Sequence, residues 1–359
     1  MSSLTDLGWD EVWATVFAAV AHEGDTPARV SLEHNHVYRV LGVGGEQLAE
    51  LSGRMRHDAA SRSEMPAVGD WVVMRPAPAE GARPQIRAIL PRRSVFSRKT
   101  AGRGTDEQVV AANIDTVFLV TGLDQDFNAR RIERYLVMAR HSGAQPVVVL
   151  NKADLPVNVA GAIKKIETMA PSVPVHAVHA KGADPDVSAL RVYLGAGKTV
   201  ALLGSSGVGK STIINALAGQ DLLKTASVRE SDGRGRHTSV HRHLIVLENG
   251  GVVIDTPGMR EIQLWDAADA VDEVFPEIEA RAADCRFRDC RHDTEPGCAV
   301  KAAVADGTVD ADRYESFIKL QHERRALIAR QEERGLIDEK RQSKIISQAR
   351  KTILKGRGR

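Results

Sequence analysis

The sequence predicts a multidomain α/β protein with a small all-β domain first, a doubly wound α/β domain second and a charged helical module last. Three observations predict it. Short apolar stretches punctuated by Gly and Pro run from Ala28 to about Phe96. Continuous apolar runs alternate with helical stretches from about Ala112 to Leu264. All three cysteines, Cys285, Cys290 and Cys298, cluster in the charged segment that follows. A chain of 359 residues leaves room for two or three domains. With 43% hydrophobic and 27% charged residues and a formal charge of +2, disorder along the whole chain is excluded. No apolar run is long enough to span a bilayer, and Asp6, Asp10 and Glu11 stand where a signal peptide carries positive charge. A cytoplasmic monomer with no membrane partner is expected.

Taken in order, residues around Trp9 to Ala21 read as a short amphipathic helix, with no function assigned. The segments ARVSLE, HVYRVLGVGG, GDWVVMRP and PQIRAILPRR then read as strands of a small barrel or sandwich. Farther on, IDTVFLVT, QPVVVLN, VPVHAV, KTVALLG and GGVVIDT have the continuous apolar character of strands buried on both faces of a parallel sheet. RRIERYLVMARH and GAIKKIETMA are the helices between them. Charge is segregated despite the small net value: Arg83 to Arg103 holds seven Lys/Arg and no acid, and Lys340 to Arg359 holds eight and none. Such segments suit either a polyanion partner or a solvated basic loop and tail.

After the strand KTVALL comes Gly204-Ser205-Ser206-Gly207-Val208-Gly209-Lys210-Ser211-Thr212 and then a helical INALAG. This is the phosphate-loop pattern GxxxxGK[ST] with the strand before it and the helix after it that the pattern requires. Glycines let successive amides face one concavity, the helix start adds its positive dipole end, Lys210 reaches the outer phosphates and the Ser211 hydroxyl ligates Mg²⁺. Downstream, Asp255-Thr256-Pro257-Gly258 closes another apolar strand. Asp255 is placed to hold Mg²⁺ through water and the Gly258 amide to meet a terminal phosphate.

Asn151-Lys152-Ala153-Asp154 ends the strand QPVVVL. A carboxylate there accepts from both the ring N–H and the exocyclic amine of guanine, a pair that adenine lacks, while the Lys152 stem covers the base. The turn His179-Ala180-Lys181 follows VPVHAV and is similar to an SAK turn whose backbone amide meets the guanine carbonyl, with His179 in place of Ser. In ordinary small GTPases the phosphate loop precedes NKxD; here NKAD comes first, so the order is circularly permuted. The segment after Asp255 then leads straight into the C-terminal module.

That module contains Cys285-x4-Cys290-x-His292-x5-Cys298, three thiolates and an imidazole suited to a closed tetrahedral zinc site. A closed site leaves no position for water, so one structural zinc per chain is expected.

These motifs in this order, between a small β-domain and a Cys3His module, closely resemble the circularly permuted ribosome small-subunit-dependent GTPase A family. Its carriers are NKAD before GSSGVGKST, GRGRHTS, DTPGMRE and FRDCRHDTEPGCAVKAAV. The resemblance runs from about Ala28 to about Leu320 and implies an OB-fold (28–108), a permuted GTPase domain (109–264) and a zinc-binding domain (265–330); an N-terminal extension (1–27) precedes them, and a basic tail (331–359), a departure from the family pattern, follows. It implies a GTPase that binds the small ribosomal subunit and its rRNA in late maturation, with hydrolysis of GTP to GDP stimulated by that subunit. It also puts Mg²⁺ on Ser211 and on Thr238 of the switch segment. Met259 follows Gly258 where many GTPases carry a water-orienting Gln, and a thioether cannot do that work. His237, beside Thr238, is the candidate to position water, with Lys210 and Thr238 as the other catalytic residues; an exposed or RNA-facing His is the alternative. In the β-domain, Arg54, Arg56, Arg92, Arg93, Arg98 and Lys99 are the basic candidates for RNA, and Trp71 is expected in the core. A GTP-gated rRNA-binding scaffold, in which hydrolysis only resets affinity, is the second reading; a kinase lacks an acceptor site.

Overall fold

The computed structural model describes residues 3–34, 37–59, 61–99, 107–182, 184–223, 243–248, 250–255, 268–326, 328–329 and 333. Asp10 caps the first helix, α1 (Glu11–Val20), by accepting the Trp13 amide at 2.9 Å. Five strands follow: β1 (Thr26–His34), β2 (Val37–Gly42), β3 (Gly45–Leu51), β4 (Trp71–Arg75) and β5 (Gln85–Ile89), with a short helix α2 (Gly53–Asp58) after β3. They close in the order β1-β2-β3-β5-β4, with β3 and β5 parallel and β4 returning to β1. This is an OB-fold barrel rather than a sandwich. Alternating residues fill it: Val30, Tyr38, Val40, Ala49, Val72, Met74 and Ile86 form one buried cluster.

Trp71 is buried at 1% exposure, as expected of a core residue, and packs edge-on to Trp9 from the N-terminal segment. The fully buried Arg29 of β1 lies over the same ring. Its guanidinium donates to the carbonyls of Leu7, Gly69 and Asn113 and to the Thr199 hydroxyl, at 2.5, 3.1, 2.9 and 2.9 Å. Burial pulls its pKa down to about 10, with Asp115 and Asp70 opposing. The barrel is thus tied to the sheet beside it.

Of the expected RNA-facing arginines, Arg92 is committed internally, while Arg93 stays exposed in a surface ion pair. Arg92 grips the buried Asp70 through Nε and Nη2 at 2.8 and 2.7 Å and also donates to the carbonyls of Ser63 and Met65. Arg93 pairs with Asp10 through both Nη atoms and lies over the Trp13 ring. Basic composition cannot register this, because the partners are distant in sequence. Arg54 keeps an open position, 91% exposed, with Asp58 at 3.3 Å. Since removing one partner strands a buried charge, Asp70→Ala is expected to cost about 3–5 kcal/mol, read as a lower denaturation midpoint.

A two-stranded ribbon, β6 (Val95–Lys99) with β7 (Glu107–Ala112), precedes the α/β part. There β8 (Thr116–Gly122), α3 (Ala129–Ser142), β9 (Gln145–Asn151), α4 (Val159–Met169), β10 (Val175–Ala177), β11 (Thr199–Gly204), α5 (Lys210–Ala218), β12 (His243–Val246) and β13 (Val252–Asp255) succeed one another. The sheet order is β10-β9-β8-β11-β13-β12. Every neighbouring pair is parallel except β12 with β13, so an antiparallel edge strand, absent from the sequence expectation, completes a mixed sheet. Its apolar run is short and only partly buried, which is why it carries no strong strand signal. The motif-bearing strands β9, β11 and β13, with β8 between β9 and β11, all end on one edge, where open α/β sheets bind ligands.

A second compact unit holds the C-terminal helices. Within it α6 (Ala268–Val274), α7 (Pro276–Ala282), α8 (Ala299–Ala305) and a helix over 311–326 surround Phe275, Ile278, Val300 and Phe317. No helix among the described residues is long and apolar enough to cross a membrane.

Candidate functional site

The phosphate-loop pattern occupies the turn from β11 into α5. Gly204 ends the buried strand, Ser205 is half-buried, Ser206 and Gly207 are exposed, Val208 is buried, and Lys210, Ser211 and Thr212 form the first turn of the helix. Gly209 caps that helix with left-handed backbone, φ +98°. A methyl group there would lie 2.2 Å from Asn151 Nδ2, and one on Gly204 would lie 2.3 Å from the Val120 carbonyl. Only glycine allows the loop to sit this close to β8 and β9. The Lys210 ammonium is folded onto the loop, donating to the carbonyls of Gly204 at 2.8 Å and Ser205 at 2.6 Å.

Asn151 explains how motifs far apart in the chain make one site. Buried at the end of β9, it donates from Nδ2 to the Val208 carbonyl at 2.8 Å and accepts the Ala180 amide on Oδ1 at 3.3 Å. The end of NKAD, the phosphate loop and the turn after β10 are thereby joined. Lys152 takes positive φ, +66°, and its ammonium reaches Asp124 at 2.5 Å. Burial raises the Asp124 carboxyl, but the Lys152 contact and backbone amides outweigh it and hold the group below its usual range. The Ala153 amide donates to the Val178 carbonyl at 3.1 Å, while Asp154 and Lys181 are exposed. His179 turns its Nε2 to the Asp184 carbonyl at 2.8 Å. Asp255 ends β13 one strand from the loop; burial pushes its carboxyl pKa up, with the Lys210 charge opposing. Gly258, Met259, His237, Thr238 and the tail from Lys340 lie outside the described residues.

Sequence reasoning missed the loop between β8 and α3. Its Asp124 holds Lys152, and its Asp126 holds Arg131 at 2.5 Å. The available signal was an acidic pair directly after a buried strand that ends beside the phosphate loop.

In the C-terminal unit, the ligand atoms of Cys285, Cys290, His292 and Cys298 lie within 4.8 Å of one another. His292 Nδ1 is 3.5 Å from the sulfurs of both Cys285 and Cys298, which are 3.9 Å apart. A tetrahedron built on metal–sulfur bonds of about 2.3 Å has edges of about 3.7 Å, so this donor set fits a Cys3His metal centre. The loop is braced around it. The Glu295 carboxylate accepts the amides of Arg291, Asp293 and Thr294 at 3.0–3.1 Å, and the Tyr314 hydroxyl donates to the His292 carbonyl at 2.5 Å.

The sheet order, the loop at the end of its central strand and NKAD preceding that loop define a circularly permuted P-loop domain of the guanine-nucleotide type. A family model described as RsgA GTPase matches residues 89–265. The small ribosomal subunit biogenesis GTPase RsgA of Opitutus terrae is 51% identical over 332 residues, covering 89% of each chain. That of Xanthomonas axonopodis pv. citri is 48% identical over 335 residues, covering 89% of this chain and 88% of the relative. Among solved structures, YjeQ from Thermotoga maritima superposes with a TM-score of 0.61 at 27% identity, over 84% of this chain and 98% of that one. YloQ, described as a circularly permuted GTPase, shares the fold with a TM-score of 0.57 at 22% identity, over 86% and 97%. The chain belongs to the RsgA GTPase family.

Proposed function

We propose that this protein hydrolyses GTP to GDP and phosphate in the late maturation of the small ribosomal subunit, in the cytoplasm and as a monomer, and that the subunit stimulates the reaction. The observation that carries this is the single side chain of Asn151 joining the guanine motif to the phosphate loop. Asn151, Lys152, Ala153 and Asp154 hold the guanine with the Ala180–Lys181 turn, and Gly204 through Thr212 hold the phosphates. Ser211, Thr238 and the nearby Asp255 are the residues that would hold Mg²⁺, which when bound offsets phosphate charge. In this reading Lys210 leaves the loop carbonyls for the outer phosphates, Gly258 meets the terminal one, and His237 positions water where Met259 cannot. Cys285, Cys290, His292 and Cys298 hold one structural zinc.

The domain reading follows the same division: extension 1–27, OB-fold 28–108, permuted GTPase domain 109–264, zinc domain 265–330 and basic tail 331–359. With Arg92 engaged internally, rRNA contact on the barrel falls to exposed groups such as Arg54, Arg56 and Arg93. Contact of this kind is driven by phosphate charge and weakens with salt.

The test is steady-state hydrolysis of GTP, with ATP as control, with and without purified small subunits. Strong stimulation confined to GTP is expected, and Asp154→Asn should weaken GTP binding by about one to two orders of magnitude, because loss of hydrogen bonds to a charged acceptor costs about 1.5–3 kcal/mol. Tight GTP binding with no stimulation would instead support the GTP-gated rRNA-binding scaffold, which the missing Gln also allows.

A further inference from the structure

Lys152, Lys181 and Lys210 are the cations that the sequence motifs assign to the nucleotide site. An arginine joins them at the phosphate loop. Arg131 is in the first turn of α3, where the Asn128 side chain caps the helix by accepting the Arg131 amide at 3.2 Å. Its Nη1 bonds Asp126 Oδ1 at 2.5 Å and also donates to the hydroxyl of Ser205, the second residue of the phosphate loop. The carbonyl of the same Ser205 accepts the Lys210 ammonium at 2.6 Å. Two cations therefore converge on one loop residue, one on its hydroxyl and one on its carbonyl.

Lys210 is the residue that reaches the outer phosphates in a loop of this pattern. A guanidinium held within one residue of that ammonium lies within side-chain reach of the same phosphates. The Arg131 side chain is 32% exposed, so it stands at the opening of the loop rather than in the core. A planar guanidinium binds a phosphate through two parallel N–H groups, as it does a carboxylate, and the neutral Ser205 hydroxyl is a weaker partner that a phosphate can replace.

We propose that Arg131 contacts the terminal phosphate of bound GTP, acting as an arginine supplied in cis. The inference rests on the nucleotide reading above. In the reaction, water oxygen forms a bond to the γ-phosphorus, whose bond to the β–γ bridging oxygen breaks. GDP leaves with that electron pair, and the water proton passes to the released phosphate. Charge grows on the γ and bridging oxygens in this loose transition state, and a guanidinium beside them offsets it. A cation placed this way also makes the site favour a triphosphate over a diphosphate.

The experiment compares the full-length wild type with Arg131→Ala and Arg131→Lys. It measures affinity for GDP and for a non-hydrolysable GTP analogue, the single-turnover hydrolysis rate and the thermal midpoint. Arg131→Ala is expected to bind GDP within twofold of wild type while losing at least tenfold in affinity for the GTP analogue and at least tenfold in rate. Arg131→Lys should restore part of the analogue affinity but not the rate, because an ammonium lacks the two-pronged geometry. The proposal is overturned if the GTP-to-GDP affinity ratio and the rate are unchanged in Arg131→Ala. A parallel fall in both affinities with the thermal midpoint also overturns it, since that is the signature of a brace for the loop. Failure of the wild type to bind GDP would remove the nucleotide reading itself, a result separable from any effect of the variants.

Discussion

Chelating the zinc proposed for the Cys3His cluster is expected to unfold the C-terminal unit while the barrel and the sheet stay folded. Between α7 and α8 the chain from Ala283 to Cys298 has almost no regular structure, and its turns are set by the four ligands and by Glu295. The apolar core available to the unit is small, centred on Phe275, Ile278, Val300 and Phe317. Binding of structural zinc to peptides of this ligand type is worth about 10–16 kcal/mol at neutral pH, against a whole-domain stability of about 5–15 kcal/mol. The metal term therefore exceeds anything that this core can replace. Hydrogen exchange over residues 268–326 should rise towards unfolded rates on chelation and recover on adding Zn²⁺, with metal release followed by a colorimetric chelator. Cys290→Ser should give the same result without chelator. Unchanged protection after complete metal removal would show that packing alone holds the unit, and the zinc assignment would lose its structural role.

Gly209→Ala carries the second large effect. The residue has φ +98°, a backbone region that costs an L-residue about 1–2 kcal/mol. Its new methyl would stand 2.2 Å from Asn151 Nδ2, so the hydrogen bond from Asn151 to the Val208 carbonyl must break. A buried polar pair left unmade adds about 1–3 kcal/mol, and the sum corresponds to a loss of roughly thirtyfold to several thousandfold in nucleotide affinity. Gly207→Ala is the comparison: φ is +80°, but nothing lies within 4 Å of the added carbon. It should show the backbone strain alone, about tenfold. Equal losses in the two variants, measured by GDP titration, would remove Asn151 from the explanation.

Much of the site was legible because its chemistry demands local spacing. A phosphate loop needs its glycines, lysine and hydroxyl in consecutive positions between a strand and a helix, and residues 204–212 stand in that turn. The four residues that could hold a metal run from Cys285 to Cys298, close enough for one loop to gather them. The apolar runs announced the buried strands β8, β9 and β11, since strands covered on both faces have no polar side. The antiparallel edge strand β12 was not legible, because a short, half-covered strand carries neither a continuous apolar run nor a firm alternation.

What the sequence determined by itself, then, is the set of chemistries this chain carries: a phosphate loop, a guanine motif placed ahead of it, and a Cys3His cluster behind. Tertiary structure alone decided which charged residues are left to act. Arg92 is spent on the buried Asp70, 22 positions away, whereas Arg93 meets Asp10, 83 away, at the surface. Arg131 instead meets the phosphate loop across 74 positions, and Asn151 meets Val208 across 57. Pairings over such separations are set by the order of strands in a sheet and by the closing of a barrel. They leave no periodicity or spacing in the chain, because each partner needs only to end up at the right edge.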